Sequence, residues 1–387
     1  MKKILIIIPL VAVIAISVGY VLLTRFPAPS NGGPYGPPSS SATEGETVRY
    51  RSVSFTDTQG IGTKAFSMLV PTDWNSEGNI NWILDTPAMP VAGDFRAWNP
   101  EGFEEFHLFP NQPFFWSDNP MIQQTFPTGS RYFGAVVRSP LGPIEALKEI
   151  AIPKFRTGVQ NLKVISQQEL PELSKSFQTG KDPATGVITS AEVGKIRVEY
   201  TLNGVQMEDE MYCIIQSQDI PVQTVYGLTR NINWYITYVE SFRAEKGKLD
   251  SQSNTFQTVS YFARTDVNWL NKYNQIVNYL IQRQIQQIQS LGQLSSIVSQ
   301  TSNDVSDANF DAWQQDQNIK DQMADDFSNS ILGIQSYQNP VDGTTVELPS
   351  GYSNAWTNNL GEYILSDSPS YNPNTESNLN WQQMTTP

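Results

Sequence analysis

Residues 4–23 form an uncharged, predominantly apolar run, preceded by Lys2 and Lys3 and followed by Arg25. Wound as a helix at ~1.5 Å per residue, the run spans ~30 Å, the thickness of a bilayer's hydrocarbon core. No other segment limits the chain so strongly: every residue after it has to fold beyond a membrane or tethered to it. A signal peptide has a shorter apolar stretch and a small-x-small cleavage site. The flank 20–25, from Tyr20 to Arg25, holds no Ala-x-Ala. The pattern therefore predicts an uncleaved transmembrane signal-anchor over 1–25, with cleavage after Ala15 or Gly19 as the alternative. Two lysines before the run outweigh Arg25 after it. That predicts a single-pass protein of the cell membrane, N-terminus cytoplasmic and the bulk of the chain extracytoplasmic.

The net charge of −13 repels nucleic acid and excludes it as a partner. Cys213 is the only cysteine, so no disulfide forms within the chain. An exported protein of this size without disulfides fits a prokaryotic envelope better than a secreted eukaryotic module.

Four regions come after the anchor. Residues 26–43 are mostly Pro, Gly and Ser, a spacer that packs no core. Residues 44–264 alternate strand-like runs with turn signals. A helical interlude is marked by Pro143, Ile144, Leu147 and Ala151, and Asn203-Gly204 is the strongest hairpin signal in the chain. A further strand covers 234–242 and a short helix 256–262. Mainly antiparallel strands with a helix in the middle and another at the end predict an α+β layered sandwich. In 265–335, Leu270, Tyr273, Val277 and Leu280 recur at helical spacing, and a second stripe starts at Phe310 and Trp313. Gln and Asn dominate the polar surface of 271–303, where Lys272 and Arg283 are the only charges. The pattern predicts an antiparallel helical hairpin that packs on the first domain or self-associates as a coiled coil. The tail, 336–387, carries Trp356, Tyr363, Tyr371 and Trp381, too many aromatics for a disordered segment, so it is expected to dock on the core. Within it, 344–348 and 362–366 are expected to pair as strands.

Ala65-Phe66-Ser67-Met68-Leu69-Val70-Pro71-Thr72-Asp73-Trp74 resembles the strand–Pro–x–x–Trp opening of PsbP/Mog1-like domains, and the order of elements after it is similar. The resemblance implies an α+β fold over 48–264, a mainly antiparallel sheet with flanking helices. Members of that fold act mostly as adaptors and accessory subunits. Residues 346–374 resemble the close of an uncharacterised group of exported bacterial proteins, a likeness that covers the helical region as well and implies no activity.

Several chemistries can be weighed from the residues. His107, the only histidine, is expected to point away from Phe106 and Leu108, towards Glu105. A thiol–imidazole pair with Cys213 has no local support, because Cys213 sits where a small buried hydrophobe fits equally well. Two acidic clusters, Glu101/Glu104/Glu105 and Glu208/Asp209/Glu210, are candidates for glycoside hydrolysis, which needs two converging carboxylates. Asp304, Asp307 and Asp311 lack calcium-loop spacing, and Asp307 reads better as a helix cap. Too few His and Cys exist for a zinc site. No phosphate loop, dinucleotide fingerprint or nucleophile elbow occurs. The aromatic block 95–116 is the favoured binding element, and Trp98, Phe103, Phe115 and Trp116 are its candidate ligand-binding residues. The sequence thus predicts a membrane-anchored extracytoplasmic binding or scaffold protein without catalytic activity, cofactor or metal. Its partners would be an envelope protein, a wall glycan, or a second copy through 268–335. The alternative is a carboxylate-dependent hydrolase of cell-wall polysaccharide.

Overall fold

The computed structural model describes residues 47–283 and 334–386, apart from 88, 176, 178, 225 and 226. The proposed anchor, the spacer, the Asp304–Asp311 group of acids and the second helical stripe lie outside the described residues. Among those described, no helix is long and apolar enough to cross a membrane.

Six strands open the domain: β1 (Thr47–Thr56), β2 (Lys64–Pro71), β3 (Asn75–Trp82), β4 (Val91–Trp98), β5 (Glu105–Phe109) and β6 (Gln112–Ser117). Helix α1 (Pro120–Thr125) leads to a small hairpin, β7 (Arg131–Tyr132) and β8 (Ala135–Val137). Helix α2 starts at Pro143–Ala146, widens to a π-turn at Leu147–Ala151 and closes as Ile152–Phe155. Pro153 has no N–H to give the turn before it, which accounts for the widening. Next come β9 (Gln160–Glu169), α3 (Pro171–Ser174), β10 (Gly180–Lys181) and three long strands, β11 (Ile188–Leu202), β12 (Val205–Thr224) and β13 (Gly227–Glu245). Helix α4 (Ser253–Tyr261), β14 (Arg264–Thr265) and α5 (Val267–Arg283) come next. The tail contributes β15 (Ile334–Gln338), β16 (Thr345–Pro349), β17 (Asn354–Thr357), β18 (Glu362–Ser366) and β19 (Gln382–Gln383).

These strands build two main sheets. One has six strands in the order β14-β2-β1-β18-β17-β19; the larger runs β10-β11-β12-β13-β5-β4-β3, with β6 to β9 at its margins. This overturns the expected α+β layered sandwich of one mainly antiparallel sheet with flanking helices; the second half of the expected helical hairpin lies outside the described residues, and the expected N-terminal transmembrane helix has no counterpart among them. Half of the structure is strand and only 18% helix. On one face of the larger sheet the apolar core is shared with β2 of the second sheet as well as with α4 and α5. Helix α5 is single as far as it is described, and Trp269, Ile276, Val277 and Leu280 are buried within this chain. That part of its apolar stripe is therefore not left for a second copy.

Three apolar clusters hold the layers together. Strand β12 is buried on both faces, so its alternate residues serve different cores. Tyr212 and Ile214 enter the core between the sheets, while Met211, Cys213 and Ile215 enter the one under α2. The neighbouring β13 changes parity halfway: Trp234, Ile236 and Val239 face α2, but Phe242 and Ala244 face the intersheet core. A bulge does this, since Tyr212 pairs with Glu240 but Ile214 with Thr237. The extra residue flips every side chain beyond it. Asn203 and Gly204 both have positive φ, and Leu202 pairs with Val205, which forms the two-residue hairpin turn that the sequence marks.

The third cluster seats the tail. β18 pairs with β1, so the last segments of the chain complete the sheet begun by the first described strand. The expected pairing of 344–348 with 362–366 does not occur: β16 pairs with β15, and β18 with β1 and β17. Tyr363 and Leu365 pack with Tyr50, Leu69 and Leu348, a long-range match that local turn signals cannot show. An ion pair of Arg49 with Glu362 lies across the β1–β18 junction.

The β1–β2 turn carries a buried carboxylate, Asp57. It accepts hydrogen bonds from the Gly60 and Ile61 amides at 2.9 and 3.0 Å, from Trp82 Nε1 at 3.1 Å and from Trp269 Nε1 at 2.9 Å. One side chain so ties the turn, the larger sheet and α5 together. Gly60 is required here, because a Cβ would lie 1.9 Å from Trp82 Nε1.

Replacing Asp57 with Ala strands two buried indole N–H groups and two turn amides. The urea midpoint should fall by an amount equivalent to about 3 kcal/mol or more, at unchanged slope. A second expectation concerns pH. Burial pushes the Glu362 carboxyl up, but hydrogen bonds from Arg49 and Asn358 outweigh it and hold the pKa below the usual value. A depressed native pKa contributes stability above the unfolded value and loses it as pH falls through the native one. Glu362→Gln should therefore be less stable than the parent at neutral pH, by under ~1 kcal/mol given partial solvent screening. The gap should close in acid, as denaturant titrations at the two pH values would show.

Candidate functional site

A cleft of about 400 Å³ opens between the two sheets beside α5. Its walls come from β2 and β3 (Phe66, Ile80), β4 and β5 (Phe95, Leu108), the bulge of β13 (Tyr238) and α5 (Trp269, Leu270, Tyr273). Two stacked pairs stiffen it: Phe66 on Phe95 with centroids 4.0 Å apart, and Trp269 on Tyr273 at 5.2 Å. Asn111, Gln216, Thr237 and Asn274 supply the polar part of the lining, and none of its residues carries a charge. Burial pushes the Tyr273 phenol up, so it stays protonated at physiological pH.

Tyr238 sits at the bulge with φ +49, a left-handed conformation that glycine usually occupies. Backbone strain of this kind persists where the surrounding packing dictates it, and here it marks the wall of the cleft.

The candidate residues Trp98, Phe103, Phe115 and Trp116 do not meet. The block 95–116 is no loop but the strands β4, β5 and β6, and a strand sends successive side chains to opposite faces. Phe95 and Phe106 enter the intersheet core, Phe109 and Phe114 the core under α2. Phe115 is 1% exposed and stacks on Tyr132 at 4.1 Å, so it cannot face a ligand. Trp116 points to the opposite face, half-buried across from Ile232. Trp98 lies half-buried at the end of β4 under the Arg96 guanidinium, 4.2 Å from its ring centroid. Phe103 turns down against the core under α2. Of the aromatic block, only Phe95 and Phe109 line the cleft.

The acidic clusters are likewise split by the strand period. Glu105 is ion-paired with Arg96 and Arg243, each at 3.0 Å. Asp209 is buried and accepts from Arg156 Nε at 2.5 Å, Tyr200 Oη at 3.0 Å and Ser241 Oγ at 2.7 Å. Burial would lower the Arg156 pKa, but the Asp209 carboxylate outweighs it, and the guanidinium stays charged. The next residue, Glu210, faces the other way and binds Arg197 at 2.9 Å and the Tyr212 hydroxyl at 2.7 Å. Glu104 accepts from the Asn99 carboxamide. These acids are matched to cations and donors within the fold.

His107 contacts Asp94 through Nε2 at 2.6 Å, not Glu105. Cys213 is fully buried, its thiol donates to the Pro143 carbonyl at 3.5 Å, and burial pushes its pKa up. The two have separate partners. Among the described residues, no three His, Cys, Asp or Glu side chains are grouped to hold a metal ion.

Sequence reasoning missed Phe66, Tyr238, Trp269 and Tyr273 as a site. Tyr273 was visible only as part of a packing stripe, and nothing in 227–245 announces the bulge. No protein-family model matches the sequence, and no curated protein matches it.

The thiol environment makes a direct prediction. Cys213 in the native protein should not react with an aromatic disulfide reagent on a timescale of minutes, and should react at once in denaturant. Fast native labelling would show that the core under α2 is open.

Proposed function

We propose that this protein is a non-catalytic binding protein, held outside the membrane by residues 1–25, that takes an uncharged, largely apolar ligand in the intersheet cleft. The observation that carries this reading is the lining: stacked aromatic walls, a few carboxamide and hydroxyl groups, and no charged side chain. Such a surface binds by desolvating apolar area and orients its guest by a few hydrogen bonds. Tyr273, whose phenol burial keeps neutral, offers no base for catalysis at physiological pH. The resemblance of 65–74 to the opening of PsbP/Mog1-like domains accords with an accessory role by analogy. The hydrolase alternative has less support, because Glu105, Asp209 and Glu210 serve buried ion pairs and hydrogen bonds.

Two fluorescent probes sharing a naphthylamine body test the reading: neutral N-phenyl-1-naphthylamine and its anionic sulfonate counterpart. The neutral probe should bind with enhanced emission and the anionic one more weakly, since the cleft offers no cation to receive the sulfonate. Met89→Trp, at the edge of the cleft, should fill the space and abolish binding without changing the urea midpoint. Equal binding of the neutral probe to Met89→Trp would remove the cleft as its site.

A further inference from the structure

The hairpin β7–β8 presents a bulky apolar side chain where neither solvation nor backbone preference favours one. Arg131 pairs with Val136 and Tyr132 with Ala135, which leaves Phe133 and Gly134 as a two-residue turn. Both have positive φ, +46 and +79, the geometry that Asn-Gly usually fills. Phe133 accepts the strained position with 59% of its surface exposed.

The turn is closely packed on its inner side. A Cβ on Gly134 would lie 2.6 Å from the Asp85 carbonyl oxygen, so the hairpin is closed against the β3–β4 loop. An aromatic series runs from the interior to the tip: Phe115 stacks on Tyr132, which meets Phe126 at 4.9 Å and Phe133 at 4.8 Å, both edge-on. Met121 of α1, five residues before Phe126, is also 56% exposed.

The segment that carries this tip has cations and no acids of its own, Asp85 of the β3–β4 loop being the acid packed beside it. Residues 119–144 contain no Asp or Glu, although the protein as a whole carries −13. Arg131 is exposed and donates to the Gly134 carbonyl at 2.7 Å, whereas Arg138 is ion-paired with Glu149. Lys154 of α2 is exposed and donates to the Gln112 carboxamide oxygen at the start of β6, the strand that pairs with β8.

We propose that the β7–β8 tip, with Phe133 and Met121 as the inserting side chains and Arg131 and Lys154 at the headgroup level, rests on the surface of an anionic lipid bilayer. Exposed aromatic and thioether groups flanked by cations suit the headgroup–acyl boundary. A chain of net charge −13 would be repelled as a free particle, but a tether raises the local concentration of the tip at the membrane and makes a weak contact sufficient. The proposal rests on the membrane-anchored reading of residues 1–25.

The test uses the full chain in vesicles. Because Cys213 is buried, Thr128→Cys gives a single site beside the tip for a polarity-sensitive label, and Ala184→Cys on the β10–β11 turn gives a control. In vesicles containing phosphatidylglycerol, the label at 128 should shift to the blue and be quenched by brominated lipid, and the label at 184 should do neither. Adding Phe133→Ser and Met121→Ser should abolish both effects at unchanged urea midpoint. Arg131→Gln should weaken the lipid contact about fivefold. Protein that does not float with vesicles would defeat the anchor reading together with this one. Protein that floats while the label at 128 behaves as in water defeats the tip proposal alone. So does a shift that appears only when a second protein is added.

Discussion

The carboxylate of Asp57 receives four hydrogen bonds from three parts of the chain that are far apart in sequence: its own turn, Trp82 and Trp269. No cation accompanies it in those contacts, so its burial depends on the donors being in place. Two of those donors are indoles, whose bodies also extend the apolar core on either side of the charge. The position of α5 against the sheets results from this, and so does one wall of the cleft, since Trp269 both donates to Asp57 and stacks on Tyr273. A fold that lost this contact would lose the relation between its smaller sheet, its larger sheet and the helix that closes them.

The second organising constraint is geometric. Three long adjacent strands carry the larger sheet, and the central one is covered on both faces. A strand of that length twists, and side chains at its two ends need not face the same layer. The bulge at Tyr238 resolves this by moving β13 from one parity to the other. The same irregularity places a tyrosine on the wall of the cleft, so the element that reconciles two cores also shapes the space between the sheets.

Charge is disposed in a corresponding way. Acids on consecutive strand positions are separated to opposite faces and paired there, Asp209 with Arg156 and Glu210 with Arg197. The intersheet cleft is left without charge, and the β7–β8 hairpin carries Arg131. A strongly acidic protein thus keeps the cleft between its sheets free of charged side chains.

Local signals in the sequence determined local structure. Pro143 begins a helix, Asn203-Gly204 turns a hairpin, Pro71 ends a strand and Asp266 caps α5 through its bonds to the Asn268 and Trp269 amides. Each of these acts within a few residues, through backbone geometry or a nearby donor, and is legible without the rest of the chain. The aromatic content of the tail likewise predicted a docked segment, though not where it docks. Tertiary structure alone decided which strand lies beside which and which face each residue takes. Phe115 reads as an accessible aromatic until β6 is placed between β13 and β8, and the strand that holds Tyr363 reads as the partner of 344–348 until β18 is laid on β1. The reason is that strand partners are joined by hydrogen bonds every residue can make. Their selection therefore rests on packing between segments hundreds of residues apart, a sum over contacts that no single stretch of sequence contains.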